Sequence, residues 1–238
     1  MVKKLKIFAD GANIQEIKHF LKNKKIKGFT TNPTLMRKSN VKNYETFSRE
    51  VSKLVYPKPI SLEVFSDNLE EMYKQAKIIS NWNQNIYVKI PVINTRGQST
   101  IKIIKKLSSE KIKLNITAIF TKNQIFSVIK NLDKDTKSII SIFAGRIADS
   151  GRDPDTYISY ALNLLNKKNK KIEVLWASTR EPFNIIEAGR LGCHIITVPN
   201  DIFLKMKNFK KNLFQFSKET VKMFYDDAKS SGYKIKIN

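Results

Sequence analysis

Lysine is an unusual residue inside a β-like apolar run, and Lys89 lies in one, Ile86-Tyr87-Val88-Lys89-Ile90-Pro91. Strand alternation puts Lys89 on the face of Tyr87, opposite Val88 and Ile90. A lysine held inside a fold loses solvation, which favours the neutral amine that attacks a ketone and forms a Schiff base. That adduct needs proton shuttles to expel water from the carbinolamine, and a carboxylate with a hydroxyl partner suffices. Glu63 and Thr117 are of these types. A second carboxylate, Asp10, can take a proton from a substrate hydroxyl and trigger C–C cleavage. The metal-dependent route to such chemistry usually relies on several histidines. The chain has two, His19 in an expected helix and His194 at the start of an expected strand, so no metal site is expected.

Two segments have the chemistry of anion binding. Phe143-Ala144-Gly145-Arg146 reads as a strand end with a glycine turn and an arginine. Ala177-Ser178-Thr179-Arg180 reads as another, leading to a helix start at Glu181-Pro182. Two guanidinium groups, a hydroxyl and helix-terminal amides make a phosphate site.

These residues must be positioned by something regular. Short β-rich runs occur at Lys6–Asp10, Gly28–Asn32, Ile60–Val64, Ile86–Pro91, Leu114–Phe120, Ser138–Gly145, Ile172–Ser178 and Cys193–Pro199. Amphipathic segments follow each, some with start signals: Asp67 with Glu70 and Thr121 with Gln124 read as capping boxes, and Asp153-Pro154 opens a helix over Tyr157–Leu165. Eight such units predict a closed (β/α)8 barrel, a TIM barrel, as one domain over residues 1–238. Residues 200–238 form a C-terminal helical extension in this reading, with an aromatic-rich helix over Phe209–Gly232. A doubly wound open sheet uses the same alternation, but no G-x-G-x-x-G or Walker loop follows the first run. In a barrel, chemistry gathers at the C-terminal ends of strands. Asp10, Asn32, Glu63, Lys89, Asn115, Thr117 and Ser178 all stand at or near such ends.

The 238 residues, 41% hydrophobic, are enough for a barrel of the usual ~250 residues. No run approaches the ~20 apolar residues of a membrane helix. The first apolar run stops at Ala9 before Asp10, leaving no signal-peptide core, and the single Cys193 suits a reducing compartment. A cytoplasmic protein without a membrane partner is expected. The net charge of +23 is spread along the whole chain among abundant Ile and Asn. It reads mainly as a composition bias, and no arginine-rich, aromatic-interleaved tract points to nucleic acid.

Taken in order, these segments resemble the transaldolase family, in particular its short-chain branch. The matching elements are Phe8-Ala9-Asp10-Gly11-Ala12-Asn13, Gly28-Phe29-Thr30-Thr31-Asn32-Pro33, Ser61-Leu62-Glu63-Val64, Val88-Lys89-Ile90-Pro91, Asn115-Ile116-Thr117 and the two arginine segments. The resemblance implies that Lys89 is the Schiff-base lysine and Asp10 the acid/base of C–C cleavage. It makes Glu63 and Thr117 the partners of a catalytic water, and Asn32 and Asn115 the hydrogen-bonding partners of a bound three-carbon unit. Arg146, Ser178 and Arg180 look like the family's phosphate clamp. The implied reaction moves a dihydroxyacetone unit from a ketose phosphate, such as sedoheptulose 7-phosphate or fructose 6-phosphate, to glyceraldehyde 3-phosphate, with no cofactor. Short family members are similar in forming rings of subunits, which implies a homo-oligomer.

Fructose 6-phosphate aldolases of the same branch look similar but carry Gln where this chain has Glu63 and Tyr where it has Phe143; the pair here favours transfer. The chain departs from the family pattern at Ser141-Ile142-Phe143, at Ile147–Asp153 and at Trp176, which leaves open a specialised aldolase of sugar biosynthesis. From a different class, a non-catalytic basic barrel that binds polyanions stays open as well.

Overall fold

The apolar runs are rich in isoleucine and valine, which pack well on a pleated surface and have a slightly lowered helix propensity. In the computed structural model, which describes residues 5–165 and 171–237, each becomes a parallel strand. β1 is Lys6–Asp10, β2 Ile26–Thr30, β3 Ile60–Glu63 and β4 Ile86–Pro91; β5 is Leu114–Ile119, β6 Ser138–Ile142, β7 Ile172–Trp176 and β8 Ile195–Pro199. They close in chain order, with β1 pairing β8, into the expected (β/α)8 barrel. Strands covered by helices outside and filled by side chains inside are buried on both faces, and all five residues of β6 are buried.

Helices return the chain between strands: α1 (Ile14–Leu21), α2 (Pro33–Lys38), α3 (Tyr44–Val55), α4 (Leu69–Ser80), α5 (Ile101–Ser109), α6 (Lys122–Asn131), α7 (Ala144–Asp149), α8 (Asp155–Leu164) and α9 (Phe183–Leu191). The asparagine bias has a structural use here. Asn13, Asn32, Asn43 and Asn68 each cap a helix by accepting from amides of its first turn. Thr121 and Gln124 form the expected capping box of α6. The Asp67–Glu70 box does not form. Asn68 caps α4, and Asp67 instead accepts from the amide and hydroxyl of Thr95. Asp153 accepts from the Asp155 amide, so the helix after Pro154 starts at Asp155, ahead of the expected Tyr157.

Two strand boundaries differ from expectation with consequences for the site. β2 starts at Ile26 and ends at Thr30, because Pro33 occupies the first turn of α2 and draws Asn32 into the cap. β6 ends at Ile142, and Gly145 and Arg146 belong to α7, not to a turn.

The barrel interior is closed by an apolar plug. Phe8, Ile139, Leu175, Ala177 and Ile195, from β1, β6, β7, β8 and the end of β7, pack together with Tyr87 and Phe143. The ring of Phe8 lies where a side chain of residue 28 would go: a Cβ on Gly28 would approach it to 2.5 Å.

Residues 204–238 form a second unit, holding the end of α10 (Asn200–Lys205), a short 3-10 turn and α11 (Leu213–Ser230). Asn212 caps α11 through the Gln215 amide, and an ion pair joins Lys222 to Asp226 one turn on. No helix among the described residues is long and apolar enough to cross a membrane.

Gly28→Ala should destabilise the barrel by ~1–3 kcal/mol through overpacking, at about 2–4 °C of Tm per kcal/mol for a chain of this size. Phe8→Leu in the same chain should recover part of that loss. Strict additivity of the two in thermal unfolding would show that the Phe8 ring is not what occupies the space.

Candidate active site

Parallel pairing sets the rows of side chains. β3 pairs with β4 so that Glu63 stands opposite Lys89, and β4 with β5 so that Lys89 stands opposite Asn115 and Pro91 opposite Thr117. A carboxylate, an ammonium and an amide thus occupy one row at the C-terminal mouth. Asp10 ends β1 beside Pro199 of β8 and Thr30 of β2. All ten of the sequence-nominated residues line one cavity of about 460 Å³ at this mouth: Asp10, Asn32, Glu63, Lys89, Asn115, Thr117, Phe143, Arg146, Ser178 and Arg180. Leu175 and Ala177 of the plug form part of its wall.

Lys89 is buried, at 7% exposure. Its Nζ donates to the Thr31 carbonyl at 2.9 Å and lies 3.1 Å from Glu63 Oε2. The backbone carbonyl of Glu63 accepts from Tyr44 Oη at 2.6 Å, which fixes the strand end from outside. Thr30 Oγ1 donates to Asp10 Oδ1 at 2.8 Å and also contacts Thr197 Oγ1. A hydroxyl has one proton to give, so Thr197 donates to Thr30 and the chain of hydroxyls ends on Asp10. Burial pushes the Asp10 carboxyl up from its ordinary 3.8; Lys89 and the Thr30 hydrogen bond oppose this, and Glu63 adds to it.

Asn115 is fully buried and held at both ends, donating to Ser61 Oγ at 2.8 Å and accepting from Ser141 Oγ at 2.6 Å. One amide proton remains for a ligand. Asn32 Oδ1 is engaged by the Leu35 amide, so its amide nitrogen is the group available to the cavity. Thr117 is buried, and its hydroxyl has no partner among the described residues. The next residue, Ala118, has φ 55°, where the β5–β6 register shifts. A left-handed non-glycine residue costs ~1–3 kcal/mol and is held only by its surroundings.

The two arginine segments interlock. Gly145 packs so closely on Ser178 that a Cβ there would come within 1.6 Å of the Ser178 carbonyl. Ser178 has φ 64°, a second left-handed residue at the rim. Arg146 stacks its guanidinium 5.2 Å from the Phe143 ring centroid, and among the described residues it makes no ion pair. Arg180 forks onto Asp149, Nε to Oδ1 at 3.1 Å and Nη2 to Oδ2. That pair is half-exposed and fixes the guanidinium while leaving donors on its other edge.

Sequence reasoning missed Thr30, Thr197, Ser61 and Ser141. Ser61 and Ser141 each lie two residues before a nominated one, so strand alternation could have found them. Thr30 was hidden by the misplaced end of β2. Neither His19 nor His194 lines the cavity; His19 is exposed on α1, and His194 Nδ1 accepts from the Val174 amide. Cys193 is buried, and burial pushes its thiol up to about 12.

Comparison with known proteins adds a family to this geometry. The family model described as transaldolase/fructose-6-phosphate aldolase matches residues 7–235. A "Probable transaldolase" of Dehalococcoides mccartyi is 33% identical over 203 residues, covering 85% of this chain and 90% of its own. Another, from a Thermoanaerobacter species, is 32% identical over 231 residues, covering 97% of this chain and all of its own. Among solved structures, N-acetylneuraminate lyase from Mycoplasma synoviae shares the fold with a TM-score of 0.55 at 14% identity, over 93% of this chain and 80% of that one.

The raised Asp10 carboxyl fixes the sign of a pH effect. A group that holds its proton more tightly when folded contributes its full stability below the ordinary 3.8 and loses it as pH climbs through the raised value. Asp10→Asn should therefore gain stability relative to the parent as pH rises from about 4 to 7. Parallel Tm profiles for the two proteins across that range would remove the buried-carboxylate account.

Proposed function

We propose that this chain, which belongs to the transaldolase/fructose-6-phosphate aldolase family, transfers a dihydroxyacetone unit between sugar phosphates through a Schiff base on Lys89. The observation that carries the reading is the buried Lys89 amine, 3.1 Å from Glu63 in the cavity that also holds Asp10.

The chemistry runs from these groups. Glu63 takes a proton from the Lys89 ammonium, and the neutral amine attacks the C2 ketone of a ketose phosphate to give a carbinolamine. Glu63 returns a proton to the departing hydroxyl, water leaves, and an iminium remains on Nζ. A water held between Glu63 and the Thr117 hydroxyl is the shuttle, and the unpartnered state of that hydroxyl supports the role. Asp10 then takes the C4 hydroxyl proton; the C3–C4 bond breaks, its electron pair passes into an enamine, and an aldose phosphate departs. A second aldose phosphate adds by the reverse path, with Asp10 returning the proton to the new alkoxide. Water then adds to the iminium, the C–N bond breaks, and the new ketose phosphate leaves free Lys89. Burial moves the Asp10 carboxyl toward the range where it can both take and give a proton.

Asn115 and Asn32 are assigned to the hydroxyls of the three-carbon unit, which the fixed Asn115 amide and the free Asn32 nitrogen support. Arg146, Arg180 and Ser178 are assigned to the phosphate, a charge-assisted clamp at one edge of the cavity. Glu63 and Phe143 favour transfer over the simple cleavage of fructose 6-phosphate aldolases. The reading is completed by a cytoplasmic homo-oligomer that uses no cofactor. A non-catalytic polyanion-binding barrel is the competing reading, in which Lys89→Met would leave binding intact and steeply salt-dependent.

Incubation with fructose 6-phosphate and borohydride should leave a reduced three-carbon adduct on Lys89, located by peptide mass spectrometry. Lys89→Met should abolish both adduct and turnover. An adduct on another lysine, or none with either fructose 6-phosphate or sedoheptulose 7-phosphate, sinks the proposal. Thr117→Val separates catalysis from folding. Its kcat should fall by ~10²–10⁴ as a proton shuttle is lost. Its Tm should change little, because no group among the described residues is paired with that hydroxyl. A fall in Tm with kcat preserved would give Thr117 a structural role instead.

A further inference from the structure

The opposite mouth of the barrel is the more strongly charged of the two. A second cavity of about 550 Å³ opens there, beyond the plug, with Phe8, Tyr87 and Ile139 in its lining. Five lysines from the N-terminal ends of five strands or the loops before them converge on it: Lys6, Lys27, Lys113, Lys137 and Lys171. The single carboxylate in its lining is Glu173, and Lys6 takes both of its oxygens at 2.7 and 2.9 Å. The other four ammonium groups have no carboxylate partner among the described residues. Lys113 donates to the Gln84 carbonyl and Lys171 to the Asp135 carbonyl, while Lys27 and Lys137 are exposed and make no hydrogen bond there.

Gathering like charges around one concavity costs free energy unless an anion offsets it. The cost registers in two amines. Burial, and then the charge of Lys137, hold Lys113 below the usual lysine range; burial, and then Lys27, do the same to Lys58 nearby. A barrel needs none of this at its N-terminal face, where stability and not chemistry is the ordinary requirement.

We propose that the N-terminal mouth is a binding site for an oligophosphate, a compound carrying a chain of two or more linked phosphates. Several compact, separately mobile ammonium groups meet anions as point charges, which suits a flexible chain of phosphates with charge spread along its length. Its volume lies within the range of small-ligand sites, ~300–1,000 Å³, and exceeds what one phosphate fills. The exposed Tyr56, whose hydroxyl accepts from Gln84 Nε2, stands at the rim beside Pro57. The phosphate chain is either inorganic or part of a nucleotide, and Tyr56 is the surface on which a base would stack. The proposal is independent of the Lys89 chemistry, and either can fail alone.

Calorimetric titration of the full chain with sodium tripolyphosphate should show one site per chain, at least tenfold tighter than inorganic phosphate and weakened by added salt. Lys27→Gln combined with Lys137→Gln, both exposed, should weaken it about tenfold or more through loss of two charge-assisted contacts. Turnover should be unchanged in that variant and Tm should hold or rise as like-charge repulsion is relieved, and Lys89→Met and Arg146→Gln should bind as the parent does. Adenosine triphosphate bound as tightly as tripolyphosphate identifies the phosphate chain alone as the ligand; tighter binding, lost in Tyr56→Ala, identifies a nucleotide. No heat at millimolar tripolyphosphate, undiminished affinity in the lysine variant, or displacement by fructose 6-phosphate would each overturn the proposal.

Discussion

A lysine and a glutamate share a closed barrel interior, and the rest of the molecule is arranged around the cost of keeping them there. Removing two charges from water costs several kcal/mol per ion, and mutual attraction repays this only with good geometry and further hydrogen bonds. Parallel register supplies the geometry, because β3 and β4 cannot pair as they do without setting Glu63 against Lys89. The Thr31 carbonyl supplies one further acceptor, and Tyr44 pins the end of β3. Asn115 cannot turn away, since Ser61 and Ser141 hold its two amide ends. A site so fixed pays its reorganisation at folding and not during reaction, which is the condition for strong electrostatic catalysis.

The plug gives that economy a second consequence. Phe8 fills the space that Gly28 leaves, and with Ile139 and Tyr87 it keeps the two mouths apart. The charges on either side therefore serve different ends. At the C-terminal mouth Lys89 and Glu63 stand within hydrogen-bond reach, and Asp10 lines the same cavity. At the N-terminal mouth lysines stand with little compensation. The +23 of the chain is thus not spread evenly over a featureless surface: a composition bias toward lysine becomes a local field where a barrel turns strand starts toward one axis.

How far the sequence revealed this depended on whether local or long-range physics set each feature. The runs at Lys6–Asp10 and Ile86–Pro91 were legible to the residue, since apolar alternation bounded by Asp and Pro leaves little freedom. β2 slipped by two residues because Lys27 reads as a loop residue until the barrel mouth gives it a place, and because Pro33 claims Asn32 for a helix cap. Asp67 lost its expected cap to the loop residue Thr95, a contact across 28 positions that no local rule contains. The nominated site residues all reached one cavity because each was chosen at a strand end, and closure brings strand ends together. What could not be read were the partners: Asp149 on Arg180, Thr197 on Thr30, and the close approach of Ser178 to Gly145, all set by neighbours distant in sequence.

Strain completes the account. Ala118 and Ser178 both take left-handed backbone at the rim, one beside the unpartnered Thr117 hydroxyl and the other against Gly145. Nothing local favours either conformation: alanine and serine lack the freedom of glycine there. Each is imposed by tertiary packing, Ala118 by the register shift that returns Ile119 to Ile142, and Ser178 by the α7 backbone pressed against its carbonyl. Both turn the chain at the points where a strand must stop being wall and begin being site. At Ser178 the helical layer is then more than a scaffold, because the α7 backbone packs against a left-handed residue at the rim.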